Sequence, residues 1–380
     1  MLAIIGMFML LRTLLRSHWA GIIGAWAFSF SPSLFYHGIN PMPDVLALCA
    51  AIWGLSLLFK WRHDGGVKYM LMSALLLGVA TAIKLPFVFM YLVPAVVLIQ
   101  DLVRPTNVSS KNRLIGSGFL YLLLLIPAAI WYIKVIPTWH GSGIVTGLVN
   151  SQDSSSELMH YLVHNVVSTL PELLLNWGAV ILFVFGLVLV FLKGGKRNTN
   201  FWPLLVLGVG IAAYYLFELN MIQDKHDYYA YPFMPLLFIA VGIGIRFILS
   251  KSKGLKLLLY VCIIAMPVLA TVRKGNGWNQ ENPGINRDLI HLKKELQSAV
   301  PDEALCVVGN DRSGFIYFYH LDKKGWNFYD DALTIDQLKE MKSKGAEYLY
   351  SNSDGVNQMV EQELNLVKIA ETNSFSVYKL

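Results

Sequence analysis

The sequence predicts an α-helical polytopic membrane protein that ends in a small α/β domain, and three observations carry that reading. Of 380 residues, 55% are hydrophobic and 15% charged, with a mean hydropathy of +0.50, whereas a soluble domain carries about 25% charged residues. Apolar runs long enough to cross a bilayer recur from the first residues to about residue 272. Charge is divided as well: residues 1–272 hold 18 Lys and Arg against 9 Asp and Glu, and residues 273–380 hold 13 against 16. The excess positive charge thus belongs to the apolar part, where it orients membrane loops, and nucleic acid is not an expected partner. Three cysteines, Cys49, Cys262 and Cys306, cannot build a disulfide framework or a cysteine-rich metal site.

A helix needs about 20 apolar residues to cross roughly 30 Å of hydrocarbon. The expected transmembrane domain, residues 1–272, offers about ten such spans, centred on 2–15, 19–35, 45–59, 69–83, 87–100, 114–136, 173–192, 201–219, 231–249 and 257–272. Alternate loops collect the basic residues: Arg12 and Arg16; Lys60, Arg62 and Lys68; Arg104, Lys111 and Arg113; Lys193, Lys196 and Arg197; Arg246, Lys251, Lys253 and Lys256. Lys and Arg accumulate on the cytoplasmic side, so this set is expected inside. Loops 36–44, 137–172 and 220–229, together with everything after Arg273, are then expected outside. That parity makes the first span run inward from the outer face. No positive residue precedes it and no small-residue cleavage site follows before Arg12, so it does not read as a signal peptide. The sequon at Asn107-Val108-Ser109 falls in a cytoplasmic loop and reads as chance.

Residues 273–380 have a soluble pattern. Expected elements are an amphipathic helix over 286–299, a buried strand over 304–308, a helix over 334–344, strands over 347–351, 366–370 and 375–379, and a helix over 356–364. Thr334 with Gln337 fits a capping box and Gly345 the helix stop. Gly309-Asn310-Asp311-Arg312-Ser313-Gly314 matches neither G-x-G-x-x-G nor a P-loop, and reads as an ordinary strand-to-helix turn.

Ionisable groups in or beside a span cost a few kcal/mol or more, which makes each a functional candidate. Lys84 reads equally as a snorkelling lysine or as an ammonium facing an anionic headgroup. Asp44, after Pro43, reads first as a helix-start carboxylate favoured by the macrodipole and only second as catalytic. Lys225-His226-Asp227-Tyr228-Tyr229 immediately precedes a span. An aromatic belt accounts for its tyrosines but not for adjacent Lys and His, so it reads as a site whose donors suit a phosphate and a sugar. His37 lies in the loop that carries Asp44. His140, His160 and His164 share a long outer loop with Asp153 and Glu157 but lack a spacing such as H-E-x-x-H. No cofactor is implied with certainty, and a divalent metal stays an option.

Three stretches together resemble a known group. Residues 20–60, with Ser31-Pro32-Ser33-Leu34-Phe35-Tyr36 and Pro43-Asp44-Val45-Leu46, are similar to a segment of the polyprenyl-phosphate-sugar-dependent glycosyltransferases of the GT-C fold. Residues 75–94, with Gly78, Lys84, Pro86 and Pro94, resemble their next lysine-containing segment. Lys225-His226 and Tyr228-Tyr229, with Pro232 and Pro235, resemble their late outer-loop motif. The group includes protein O-mannosyltransferases and the bacterial aminoarabinose transferase of lipid A, and the resemblance covers residues 1–272.

The resemblance implies a plasma (inner) membrane enzyme with an extracytoplasmic C-terminal domain. It would move a sugar from a polyprenyl-phosphate donor to a glycan, lipid or protein acceptor at the outer face, with the lipid bilayer as its environment. Lys84, Lys225, His226, Tyr228 and Tyr229 would contact the lipid phosphate or sugar, and Asp44 would line the cavity. The family begins with another helix and an outer loop bearing the catalytic carboxylate. The expectation is therefore a shortened member whose carboxylate lies upstream of Met1, or a divergent one using another base. A lipid-binding or transport protein and a catalytically silent relative are the alternatives.

Overall fold

A computed structural model describes residues 1–40, 42–104, 110–139, 153–192, 199–222, 224–251, 253–277, 285–311, 313–329 and 331–380, the side chains at 224, 225, 276 and 277 excepted. The sequon, His140, Lys193, Lys196, Arg197, Arg312 and the side chain of Lys225 lie outside this set. The chain divides into two compact units, Met1–Gly277 and Trp278–Leu380.

The first unit is helical: α1 (Leu2–Leu15), α2 (His18–Ser29), α3 (Pro32–His37), α4 (Pro43–Asp64), α5 (Val67–Ile83), α6 (Leu92–Val103), α7 (Lys111–Val135), α8 (Ser155–His164), α9 (Trp177–Leu192), α10 (Phe201–Phe217), α11 (Met234–Leu249) and α12 (Lys253–Gly277). Five segments among the described residues are long and apolar enough to cross a membrane, and a sixth if the bent Ser155–Leu175 and Trp177–Leu192 pair is one span. The apolar helices α1, α5 and α10 are shorter.

Local chemistry breaks several apolar runs. The run 19–35 stops at Phe30, because Ser31 caps a new helix through Leu34 N–H and Pro32 occupies its first position, where a missing N–H costs nothing. The run 173–192 turns by 109° at Asn176. There φ is 60° and ψ 156°, a backbone conformation that side chains rarely adopt, held because the side-chain amide donates to the Phe30 carbonyl at 2.8 Å while its oxygen accepts from Ala179 N–H at 3.2 Å. Gly65 and Gly66, at φ 76° and 91°, make the tight link that folds α5 back along α4. Gly186 on α9 and Gly244 on α11 let two backbones touch: a methyl on Gly186 would run into the Ala240 carbonyl, and one on Gly244 into that of Leu182. Such small-residue contacts serve where lipid removes the hydrophobic drive for helix association.

The second unit is a five-stranded sheet of order β2-β1-β3-β5-β4, built from β1 (Leu305–Gly309), β2 (Lys324–Phe328), β3 (Tyr348–Ser351), β4 (Val367–Glu371) and β5 (Ser376–Lys379). β1 pairs in parallel with β2 and β3, and β5 runs antiparallel to β3 and β4. Period-two alternation sends Cys306, Val308, Tyr350 and Val377 into one core with Leu289, Leu296 and Leu321. It sends Val307, Leu349 and Tyr378 into another with Leu338, Val356 and Val360. The Thr334 capping box forms with both bonds present. Differences from the sequence reading are local. The helix over 286–299 is two short pieces, Asp288–His291 and Lys293–Ser298, and β2 was not anticipated, while the helix Ile316–Leu321 follows the strand-to-helix turn read at 309–314. β2 escapes a propensity reading because Lys324, Gly325 and Asn327 are poor strand formers, recruited by pairing with β1.

Candidate functional site

α4 and α5 are antiparallel, so the start of one and the end of the other lie at the same end of the bundle. Asp44, second residue of α4 after Pro43, is 2% exposed. Lys84 ends α5 in an extended conformation, and a 3-10 turn over Leu85–Tyr91 containing Pro86 follows. Proline cannot continue the hydrogen-bond ladder, so the chain leaves the helix here. Lys84 Nζ then stands 3.0 Å from Asp44 Oδ1.

A second 3-10 segment, Asp224–Phe233, leads into α11 and brings the tyrosines to the same place. The Lys84 ammonium lies 4.4 Å from the Tyr229 ring centroid and 5.5 Å from that of Tyr228, within cation–π range. His226 is exposed, and its Nδ1 lies 2.8 Å from the Tyr228 hydroxyl. Asp44, Lys84, His226, Tyr228 and Tyr229, drawn from three distant stretches of sequence, thus form one cluster.

Two further bonds hold the tyrosine segment against α3. His37 Nε2 meets Asp227 Oδ1 at 2.8 Å, both residues buried, and the Ser33 hydroxyl lies 3.1 Å from that of Tyr231. Tyr214 on α10 donates to the Tyr229 carbonyl at 3.4 Å. His37 is therefore a positioning residue of this cluster, a role its place in the sequence did not reveal.

One carboxylate escaped the sequence reading. Glu218 falls inside the apolar run 201–219, but α10 ends at Phe217, so Glu218 sits just beyond the helix and is 7% exposed. Burial pushes its carboxyl up from the ordinary 4.5 to about 7, with the nearby Lys84 charge pulling the other way. An acid at the end of an apolar run is the signal that singled out Asp44, and it applied equally here.

Glu157 closes a capping box with Ser154, and His160 and His164 stack on one another with centroids 6.2 Å apart. Among the described residues no group of three or more His, Cys, Asp or Glu is arranged to hold a metal.

The profile of the family described as dolichyl-phosphate-mannose-protein mannosyltransferase matches residues 1–131, which contain Asp44 and Lys84. No curated protein matches the sequence. The crystal structure of ArnT from Cupriavidus metallidurans in the apo state superposes with a TM-score of 0.63 at 11% identity, over 100% of this chain and 81% of that one. The fold is that of the GT-C glycosyltransferases. A cryo-EM structure of the arabinofuranosyltransferase AftD from mycobacteria aligns with a TM-score of 0.57 at 15% identity, over 100% of this chain and 33% of that one. These likenesses bear out the fold that the motif resemblance implied, a multi-pass helical membrane bundle of the kind those two structures share.

Proposed function

We propose that the chain moves a sugar from a polyprenyl-phosphate-linked donor to an acceptor at the outer face of the plasma membrane, with residues 278–380 on that same side. The observation that carries this reading is the meeting of Lys84 with Tyr228, Tyr229 and His226 at one end of the bundle. A fixed ammonium, an imidazole and phenols are the donors that a phosphate and a sugar require.

In the reaction, the acceptor hydroxyl or amine gives its proton to a carboxylate, and its lone pair attacks the anomeric carbon. The bond from that carbon to the phosphate oxygen breaks, and the lipid phosphate leaves with the electron pair. Lys84 and His226, with Lys225 next to His226 in sequence, would stabilise the negative charge that grows on the leaving oxygen. Asp44 is committed to Lys84 and Asp227 to His37. Glu218, whose carboxyl changes protonation state near neutrality, is the described acid of this cluster best suited to take a proton.

The test uses the full chain in lipid nanodiscs with polyprenyl phosphate as probe. Removing one charge-assisted contact costs about 1.5 to 3 kcal/mol, so Lys84→Ala should weaken binding roughly ten- to a hundred-fold. Unchanged binding in this variant overturns the reading. Normal binding of the lipid by the unaltered chain without transfer from any polyprenyl-phosphate sugar would instead identify a catalytically silent lipid-binding member.

A further inference from the structure

The opposite end of the bundle holds a cavity of about 630 Å³, within the size range of small-ligand sites. It opens where α1, α4 and α6 end and α10 begins, on the face that the basic loops mark as cytoplasmic. α4 separates it from Asp44 by about 25 to 30 Å of helix rise, so it is a different site from the cluster described above.

The cavity wall is built. Arg62 is nearly buried and donates to Asp101 Oδ1 at 2.7 Å, Gln100 Oε1 at 2.9 Å, Asn200 Oδ1 at 3.2 Å and the Thr199 carbonyl at 3.3 Å. That guanidinium ties α4 to α6 and to the start of α10, and its charge is balanced by Asp101. Arg16 and Arg104, just past the ends of α1 and α6, also line the cavity, and neither has a carboxylate partner among the described residues. Two cations without a carboxylate partner among the described residues therefore face one space. Its mouth is apolar: Ile99, Val103 and Trp202 are 60%, 72% and 47% exposed, at the level where an interfacial Trp belongs. A helix C-terminus attracts arginine on its own, which accounts for the charges but not for the cavity between them or the apolar side chains at its mouth.

We propose that this cavity holds the phosphate headgroup of an anionic glycerophospholipid of the inner leaflet, with Arg16 and Arg104 binding the phosphate and Ile99, Val103 and Trp202 seating the upper acyl chain. Basic pockets between transmembrane helices on this side of a membrane suit such headgroups. A soluble phosphate compound would use the arginines but leave the apolar mouth without a role.

The detergent-solubilised full chain should be titrated with short-chain phosphatidylglycerol, with phosphatidylcholine of the same chain length, and with inorganic phosphate. Phosphatidylglycerol should bind at least ten-fold more tightly than either. The Arg16→Ala/Arg104→Ala variant should lose about thirty-fold in that affinity, and Arg104→Gln alone about five-fold, at roughly 1 kcal/mol per basic residue. The control Lys251→Ala/Lys253→Ala removes the same charge from the same face outside the cavity and should lose less than three-fold. Equal binding of the two phospholipids, an equal loss in the control, or unchanged affinity in Arg104→Gln overturns the proposal. Inorganic phosphate binding as tightly as phosphatidylglycerol would show the site to be one for a soluble anion, which overturns it as well.

Discussion

Asp44 and Lys84 stand 3.0 Å apart because they lie at nearly equal distances along two helices that meet at a glycine pair. Counted from Gly65 and Gly66, Asp44 is about 30 Å back along α4 and Lys84 about 27 Å forward along α5, at 1.5 Å per residue. The hairpin thus delivers an acid and a base to one level of the membrane. Lys84→Ala leaves the almost wholly buried Asp44 without its partner, a loss that costs about 3 to 5 kcal/mol in buried pairs. Thermal unfolding in detergent should show Asp44→Asn/Lys84→Ala less destabilised than the two single losses added together. Simple additivity would mean that the pair is not coupled.

A pH dependence of the site is the outcome expected from Glu218. Its folded carboxyl is raised to about 7 from 4.5, so the fold favours the neutral form. That contribution to stability is fully present below about pH 4.5 and is lost as pH rises through about 7. Unfolding curves taken at pH 5 and pH 8 should therefore differ by less in Glu218→Gln than in the unaltered chain. The same substitution should abolish the rise of transfer rate through pH 7; a retained rise would remove Glu218 as proton acceptor.

The clamp between His37 and Asp227 should matter for how the donor is held. His37→Ala removes a buried bond that fixes the tyrosine segment, and weaker polyprenyl-phosphate binding should follow, while His37→Gln, able to donate to the carboxylate, should restore part of it. Equal defects in both variants would point to a packing role alone.

Residues 286–380 carry two cores of their own, so this segment expressed alone should be soluble, folded and without transferase activity. Asp311 offers a probe of that fold. Burial pushes its carboxyl up, but hydrogen bonds from the Ser313 hydroxyl and from the amides of Tyr317 and Ser313 outweigh this and hold it below 3.8. Its contribution is present above about pH 3.8 and is lost as pH falls through the lower folded value. Asp311→Ala should cost about 1 to 2 kcal/mol at pH 7, read by urea unfolding, with a smaller difference at pH 2.

Orientation is open to labelling. The three native cysteines are buried or partly buried and would be replaced first. Cysteines introduced at Ser154 and in the C-terminal unit should react from outside, and one at Thr199 should not. The reversed pattern would overturn the outer-face assignment of the site.

The sequence by itself determined the membrane class, the apolar helices, the alternating loop charges and the α/β character of the last hundred or so residues. These follow from local quantities: hydropathy over a helix length, the continuous apolar run from Ala304 to Val308, and the cap at Thr334. It also picked out Asp44, Lys84, His226, Tyr228 and Tyr229 one by one, since each is a polar group beside an apolar run. What only the tertiary structure decided is that these residues meet. The Gly65–Gly66 hairpin sets Lys84 against Asp44, and the bonds from His37 and Ser33 draw the tyrosine segment onto them. Such pairings link positions 40 to 198 residues apart, and no local pattern records them. The break at Ser31, the corner at Asn176 and the emergence of Glu218 beyond α10 are of the same kind: hydropathy averages over a run, whereas a cap, a residue of positive φ or a partner across the bundle decides where the helix stops.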